Sequence, residues 1–297
     1  MTRCGFVAVI GAPNAGKSTL VNALVGSKVS IVTHKVQTTR NQVRGIVMEG
    51  DAQIVLVDTP GIFEPKRRLE RAMVRAAWAG AEDADVVMLV YDAARKKLDA
   101  DTRRIVDQIK KSGRKVVLAL NKVDLIRRDK LLELAALFDA EGCFEDIFMI
   151  SAATGDGLDD LRRYLAGRMR EGPWLFPEDQ AADMPLRLLA SEITREKLFL
   201  QLHEELPYNL TVETDNWEDF KDGSAKIQQT IYIGRENQKP IVIGKGGARI
   251  RKVREDAQQE MQALLERPIH LFLFVKVREN WIEDPERYRD LGLEFKS

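Results

Sequence analysis

Cysteine is nearly absent from this 297-residue chain, which has only Cys4 and Cys143. Two cysteines exclude a disulfide framework and a cysteine-rich metal site. Histidine is as scarce, and His34, His203 and His270 lie too far apart to form a local metal motif. No apolar run approaches the ~18 residues of a membrane-spanning helix. The start, MTRCGFVAVIGAP, has only a short apolar stretch before Gly11 and Pro13, so no signal peptide is visible. A reduced, cytoplasmic protein is the expectation. Net charge is missing too: 46 Lys and Arg balance 46 Asp and Glu. That balance weighs against a chain that is basic throughout, the usual footprint of a nucleic-acid binder.

Apolar material is plentiful. Hydrophobic residues make up 44% and charged residues 31% of the chain, enough to bury a core and to exclude wholesale disorder. The length suggests about two domains. Short β-branched runs at residues 6–10, 54–57, 85–91, 115–120 and 146–150 alternate with charge-laced stretches of helical spacing, such as 97–111 and 128–141. That alternation predicts a mostly parallel sheet with helices on both faces. Residues 157–171 read as its last helix, with Leu158, Leu161, Leu165 and Met169 on one face.

Residues 172–185 then place three prolines and a glycine in fourteen positions, which breaks any regular element and reads as a linker able to permit reorientation. Its aromatics, Trp174 and Phe176, read as packed anchors. Beyond the linker the pattern becomes helix (186–206), strand (209–215), strand (225–234), helix (247–265) and strand (269–277), a small α+β domain. The division is therefore 1–171, a linker at 172–185, and 186–297.

The first strand runs into Gly11, Ala12, Pro13, Asn14, Ala15, Gly16, Lys17 and Ser18, with Thr19 next. This is GxxxxGK[ST] in the strand–loop–helix context the P-loop requires. Its glycines let backbone N–H groups face phosphate oxygens, and the helix N-terminus adds a favourable field. Lys17 supplies positive charge to the outer phosphates, and Ser18 offers a hydroxyl to Mg²⁺. Asn121, Lys122, Val123 and Asp124 sit just past the strand at 115–120, at the sheet edge where open α/β folds bind ligands. A carboxylate there accepts two hydrogen bonds from guanine N1–H and the exocyclic amine, donors that adenine does not offer together. Ser151 and Ala152 complete the base pocket, with a backbone N–H for guanine O6. Asp58, Thr59, Pro60 and Gly61 end another strand: Asp58 holds Mg²⁺ through water, and the Gly61 N–H senses the γ-phosphate. Between lies Gln37-Thr38-Thr39-Arg40, in which one threonine contacts Mg²⁺ and γ-phosphate in the triphosphate state. Spacing does not decide which one; Thr39 is preferred. Lys17, Thr39 and Gly61 are the expected catalytic residues, and Ser18, Thr39 and Asp58 the expected metal-facing ones.

Those motifs in that order resemble a translation-factor-class GTPase domain, which implies switch loops near residues 28–44 and 61–81. One departure from the Ras-like pattern matters: Ile62, followed by Phe63, stands where a water-orienting glutamine is expected. An aliphatic side chain cannot orient water by hydrogen bonding, and the resemblance implies slow hydrolysis with other positioning groups. Asn14 resembles the asparagine that coordinates K⁺ in potassium-stimulated relatives.

In the second half, Ile243-Gly244-Lys245-Gly246-Gly247 precedes Arg249 and Ile250 and fits the GxxG loop of KH domains, which grip about four single-stranded nucleotides. Lys245, Arg249 and Lys252 would neutralise phosphates, and Ile241, Ile243 and Ile250 would flank the bases. Residues 237–254 carry six basic residues and no acid, although residues 201–297 hold 15 basic against 18 acidic. One GTPase domain joined to such a KH domain, with VIGKGG and the upstream ELPY (205–208), is similar to the Era family over essentially the whole chain. Der-like proteins carry two GTPase domains, and TrmE-like ones end in a cysteine motif; neither pattern occurs here. The resemblance implies GTP and GDP as ligands, binding near the 3′ end of small-subunit ribosomal RNA, a role in maturing that subunit, and a loose peripheral membrane association. A monomer is expected. The rival is a GTP-dependent scaffold that uses the KH fold to dock a protein or membrane. Asp124→Asn tests the base assignment: GTP affinity should fall by about two orders of magnitude or more while xanthine nucleotides gain. A competition assay that finds guanine preference unchanged refutes it.

Overall fold

The computed structural model describes residues 1–35, 38–40, 42–95, 98–204, 206–279, 281 and 293. Gln37, Glu205 and Lys97, which figured in the sequence reading, lie outside them. Two compact units emerge. The first comprises Met1–Ser30, Thr39–Asp183 and Leu291–Ser297; the second comprises Ile31–Thr38 and Met184–Asp290.

In the first unit the chain runs β1 (Arg3–Ile10), α1 (Lys17–Val25), β2 (Val43–Glu49), β3 (Ala52–Asp58), α2 (Arg68–Asp83), β4 (Val86–Asp92), α3 (Ala100–Ser112), β5 (Val116–Asn121), α4 (Arg128–Asp139), β6 (Phe144–Met149), α5 (Leu158–Arg168) and β7 (Arg170–Glu171). Strand order is β2-β3-β1-β4-β5-β6, with β7 paired to β1. β1, β3, β4, β5 and β6 are parallel, while β2 and β7 are antiparallel to their neighbours. The strands read as unbroken apolar runs because helices cover both faces; every residue of β3 is buried. Phe138 on α4 closes one side, edge-on to Tyr91 and Phe144 at centroid distances of 4.9 and 5.7 Å. β3 and β4 flank β1 on opposite sides, which opens a crevice at the carboxyl end of β1.

β2 and α2 were not expected. β2 begins at Val43, inside the stretch read as a polar loop, and joins β3 through a turn at Gly50, φ 59°. α2 buries Ala72, Ala77 and Ala81 beside Leu69 and Met73, and it falls inside 61–81, where the resemblance implied a switch loop. The helix expected over 157–171 stops at Arg168, and residues 170–171 pair with β1 instead.

The proline-broken stretch differs from expectation as well. Gln53 is fully buried on β3 and its amide needs partners. It accepts from the Leu175 and Phe176 N–H groups (2.9 and 3.0 Å) and donates to the Phe176 carbonyl (2.8 Å). The Trp174 indole donates to Asp51 O at 3.1 Å, Ile46 N–H donates to Ala181 O, and Asp183 N–H to Arg44 O. Residues 174–183 are thus bonded along the β2–β3 edge, not loose.

The second unit runs α6 (Leu186–Gln201), β8 (Leu210–Asp219), β9 (Ala225–Ile233), α7 (Lys239–Ile243), α8 (Ala248–Leu265) and β10 (Ile269–Val277). Its sheet order is β10-β9-β8, with β10 parallel and β8 antiparallel to β9. α6 ends five residues earlier than its periodicity suggests, and β8 extends to Asp219 through an irregularity between Thr214 and Asn216. Ile193 of α6 and Ala257 and Met261 of α8 pack with Ile227 and Leu271. One polar chain crosses that core: Thr194 Oγ1 donates to Gln229 Oε1 (2.6 Å), and Gln229 Nε2 donates to Thr214 Oγ1 (3.2 Å). Fully satisfied, such a network fixes how the helix sits on the sheet.

Candidate functional site

The P-loop conformation is dictated by contacts that glycine alone permits. Gly11, at φ 155°, packs so closely that a Cβ would lie 2.5 Å from Val90 O. A Cβ on Gly16 (φ 96°) would lie 2.3 Å from Asn121 Nδ2. That nitrogen donates to Ala15 O at 3.0 Å, while Asn121 Oδ1 accepts from Lys122 N–H (2.8 Å) and Ala152 N–H (3.0 Å). Lys122 lies across the loop, its Nζ donating to Asn14 O at 3.0 Å and pairing with Asp92 at 2.7 Å. Asp124 is exposed, as a base-reading carboxylate must be in the free site.

Ser151 is buried, and its N–H donates to Asp156 O at 2.9 Å. The Ala152 N–H donates to Asn121 Oδ1 at 3.0 Å, so the Ser151–Ala152 turn also holds Asn121 in place.

Lys17 is 7% exposed, and its ammonium donates to the Gly11 and Ala12 carbonyls at 3.1 Å each. Burial pulls its pKa down to about 8; the Asp58 carboxylate opposes that shift and Arg95 adds to it. Ser18 Oγ lies 2.8 Å from Thr39 Oγ1 and donates to Asp58 Oδ2 at 2.6 Å. Burial pushes the Asp58 carboxyl up, against the Ser18 hydroxyl and Lys17. Asp58 Oδ1 is buried with no hydrogen-bond partner among the described residues, the Ser30 hydroxyl being the nearby group that acts on the carboxylate. Two hydroxyls and a carboxylate with a spare oxygen, at the mouth of a phosphate loop, fit Mg²⁺, a hard cation that takes few protein ligands plus phosphate and water oxygens. Ser18, Thr39 and Asp58 would hold it, directly or through water. When bound, the ion would neutralise charge on the phosphates.

The structure separates the two threonines. Thr39 faces Ser18, whereas the Thr38 hydroxyl bonds Thr33 (2.6 Å) and the Lys35 carbonyl (2.7 Å) inside the second unit. Gly61 lies against Pro13, where a Cβ would come within 3.1 Å. Ile62 is buried, its N–H donating to Gly11 O at 3.0 Å, and Thr59 is tied to Val9 O at 2.8 Å. Val123 and Pro60 shape their loops without polar side-chain chemistry, and Thr19 belongs to the first turn of α1.

Three groups escaped sequence reasoning. Arg95 braces the P-loop by donating to Pro13 O at 2.7 Å and pairs with Asp99 at 2.5 Å. In the second unit Arg195, 2% exposed, donates to the Thr38 carbonyl and pairs with Glu192. Glu196 accepts from Val32 N–H at 2.8 Å. None lies in a motif, and the signal for each is its tertiary partner.

The GxxG loop follows α7. Gly244 (φ 77°), Gly246 (φ 59°) and Gly247 (φ 77°) all take left-handed backbone, and a Cβ on Gly244 would lie 2.8 Å from Arg249 Cβ. Lys245 is exposed at a cleft of about 660 Å³ lined by Glu236, Lys239, Pro240, Ile243 and Gly244. Arg249 donates one N–H to the Ile241 carbonyl, which braces the loop, and the half-buried Ile250 packs beside Val242 and Val253. Lys252 is exposed and pairs with Asp256 at 2.7 Å.

A phosphate loop with a guanine-reading NKVD turn, followed by a GxxG-bearing α+β unit, defines a P-loop GTPase carrying a KH domain. Residues 6–122 match the family model described as 50S ribosome-binding GTPase, and residues 205–282 match the KH domain model. GTPase Era of Afipia carboxidovorans is 59% identical over 294 residues, covering 99% of this chain and 95% of that protein. GTPase Era of Sinorhizobium medicae is 60% identical, covering 99% and 94%. Among solved structures, Era in complex with MgGDPNP and nucleotides 1506–1542 of 16S ribosomal RNA has a TM-score of 0.92 at 38% identity, covering 99% of this chain and 100% of that one. An Aquifex aeolicus Era variant bound to GDP and AlF4⁻ also scores 0.92, at 37% identity with the same coverages. The chain belongs to the Era family of GTPases, and it is a GTP hydrolase.

Lys17 generates a pH prediction. Triphosphate requires the charged ammonium, while the free site lets it go above about pH 8. Binding above that pH must therefore take up a proton, and affinity should fall as pH rises through 8, by up to about tenfold per unit. Calorimetry in buffers of different ionisation enthalpy reads the proton directly; flat affinity with no uptake contradicts the assignment.

Proposed function

We propose that this protein is a GTP-driven factor that binds the 3′ region of small-subunit ribosomal RNA and acts in assembling that subunit. The observation that carries the reading is the left-handed Gly244–Gly247 turn, which exposes Lys245 at an open cleft in a chain that also holds a complete guanine-nucleotide pocket. It is supported by the relative whose structure contains both MgGDPNP and nucleotides 1506–1542 of 16S ribosomal RNA. Phosphates of about four nucleotides lie against the loop's N–H groups, with Lys245 and Lys252 as the mobile positive charges and Ile243 beside the bases.

Catalysis on this reading rests on charge placement. Lys17 and the P-loop N–H groups hold the phosphates, Thr39 and the Gly61 N–H close on the γ-phosphate, and Ser18, Thr39 and Asp58 hold Mg²⁺. With Ile62 where a water-orienting amide would stand, turnover is slow. Nucleotide state reaches the RNA unit through the backbone, because Thr39 faces Ser18 while Thr38 is held by Arg195. The protein acts as a cytoplasmic monomer, with membrane association only peripheral.

The test is binding of a labelled RNA equivalent to nucleotides 1506–1542 of 16S ribosomal RNA, in GDP and in a non-hydrolysable GTP analogue. Affinity should differ between the two states, and Lys245→Asp with Gly246→Asp should abolish binding while leaving GTP hydrolysis in place. Equal affinity in both states ends nucleotide gating. Vesicle or partner co-sedimentation left intact in that variant is the outcome that the docking scaffold predicts instead. We propose further that K⁺ sits beside Asn14, which holds an uncommon left-handed backbone at φ 63° in the P-loop. Hydrolysis should be several-fold faster in KCl than in NaCl; equal rates remove the ion.

A further inference from the structure

Three consecutive carbonyls of the phosphate loop are held by side chains that reach it from the ends of β4 and β5. Ala15 O accepts from Asn121 at 3.0 Å, Asn14 O from Lys122 at 3.0 Å, and Pro13 O from Arg95 at 2.7 Å. No described peptide bond is cis, and in a trans peptide the C=O and the N–H point in opposite directions. Holding the carbonyls from one side therefore aims the N–H groups of Asn14, Ala15 and Gly16 to the other, as a nest of successive donors suited to phosphate oxygens. The Ala15 N–H meanwhile makes only a long contact, 3.4 Å, with Ala12 O. Asn121 and Lys122 belong to NKVD. Arg95 belongs to no motif.

Both prongs of the Arg95 guanidinium are used. One donates to Pro13 O, and the other pairs with Asp99 at 2.5 Å. Asp99 is the N-cap of α3, and it accepts from the Thr102 N–H and the Thr102 hydroxyl, both at 2.9 Å. The arm that holds Pro13 is thus anchored on a helix end. The Asp92 carboxylate stands 2.7 Å from Lys122 Nζ and 4.0 Å from Arg95 Nε, which offsets repulsion between two cations on adjacent carbonyls. Pro13 itself lies against Gly61, where a Cβ would come within 3.1 Å of its ring. The Pro13–Asn14 peptide is therefore the end of the nest nearest the γ-phosphate side of the site.

We propose that Arg95 is a positioning residue for hydrolysis: by holding the Pro13 carbonyl it aims the Asn14 N–H at the oxygen bridging the β- and γ-phosphates. As the water oxygen bonds to the γ-phosphorus, the bond from that phosphorus to the bridging oxygen breaks. Its electron pair stays on the bridging oxygen, which leaves as part of the GDP β-phosphate, and the water's proton departs with phosphate or to solvent. Negative charge thus grows on that oxygen in the transition state, so a donor aimed at it lowers the barrier more than it tightens binding. A charged donor on the carbonyl also polarises the peptide and strengthens its N–H. The planar fork matters, because a lysine ammonium does not match the paired geometry of carbonyl and carboxylate. This role depends on GTP hydrolysis alone and is independent of the RNA that the second unit takes.

The experiment measures single-turnover GTP hydrolysis and GDP affinity of the full-length protein, with Mg²⁺ and KCl held constant. Arg95→Met keeps the aliphatic stem and loses both prongs. Its hydrolysis rate should fall about tenfold, less than the roughly 10²- to 10³-fold lost when such a donor is deleted, because the N–H remains. GDP affinity should change by less than about threefold. Asp99→Asn keeps a helix-capping side chain but loses the ion pair, and should slow hydrolysis by a smaller factor. The double variant should be no slower than Arg95→Met alone, since both act through one contact. Arg103→Met, which breaks the α3 ion pair with Glu141, is the control and should leave the rate unchanged. Phosphorus NMR of bound GTPγS, which retains the bridging oxygen, should show the β-phosphate resonance moved in Arg95→Met and the α-phosphate resonance in place. An unchanged rate overturns the positioning role, and so does a loss of GDP affinity as large as the loss of rate, which assigns Arg95 to holding the loop's fold. Should Arg95→Met fail to fold, Asp99→Asn carries the same test with the same two outcomes. Neither outcome touches the RNA-binding reading.

Discussion

A buried carboxamide holds the nucleotide site in shape, and most of what surrounds it follows from satisfying that group. Asn121 is 1% exposed at the end of β5, yet three of its hydrogen-bonding positions are filled, by Ala15 O, Ala152 N–H and Lys122 N–H. Those partners come from the loops that follow β1, β6 and β5, so one side chain ties together the phosphate loop and both base loops. An unpaired amide at that depth costs about 1–3 kcal/mol for each group left unsatisfied, which is why the three loops move together or not at all. The absence of a side chain on Gly16 is part of the same constraint, since Asn121 occupies the space a Cβ would need. Lys122 and Arg95 extend the clamp to Asn14 O and Pro13 O. A phosphate-binding backbone braced in this way meets its ligand already ordered, and binding does not have to supply that ordering.

What could be read from the sequence is what phosphate and guanine demand of residue types at fixed offsets. GxxxxGKS, DTPG and NKVD are legible because backbone N–H groups can approach an anion only where glycines stand, and only a carboxylate reads two donors on one base edge. The mostly parallel sheet was legible in outline from its apolar runs. β2 was not, because its first residue, Val43, continues a stretch whose character is set by polar neighbours. α2 was not, because it falls inside 61–81, the second loop that the motif order implied, with three of its five buried residues alanines. The choice between Thr38 and Thr39 depends on which way two consecutive side chains point, and spacing holds no such information. Gln53, Arg95 and Arg195 act through partners up to 157 positions away in sequence. They read as ordinary polar residues until the fold brings the partner in.

Charge shows the same limit at another scale. The even count of 46 and 46 described an average, and the run of six basic residues over 237–254 described a line of text. In the folded chain that run divides by role. Arg249 donates one of its N–H groups to the Ile241 carbonyl. Lys239, Lys252 and Arg254 pair with Glu236, Asp256 and Glu255, acids that lie just outside the run. Such exposed pairs are worth about 0–1 kcal/mol and exchange readily for a phosphate. Lys245 stands exposed at the loop itself. The acidic surroundings therefore limit how strongly the unit attracts RNA non-specifically without removing the charges that act at the loop.

The same sorting bears on how nucleotide state can matter beyond its own pocket. Ile31–Thr38 belongs to the second unit and is held there by charged groups of α6. Glu196 takes the Val32 N–H, Arg195 takes the Thr38 carbonyl, and Lys35 donates to the carbonyls of Phe199 and Leu202, at the end of α6, where the helix field favours a cation. Thr39, one residue on, has its hydroxyl at Ser18 beside Asp58. A ligand shifts an equilibrium only through contacts that differ between its two states. On the proposed reading a γ-phosphate with Mg²⁺ would make such a contact at Thr39, next to Thr38, whose carbonyl accepts from the buried Arg195. Displacing Thr39 would therefore work against a buried, hydrogen-bonded charge, and the expected response is a switch between discrete arrangements, not a graded drift.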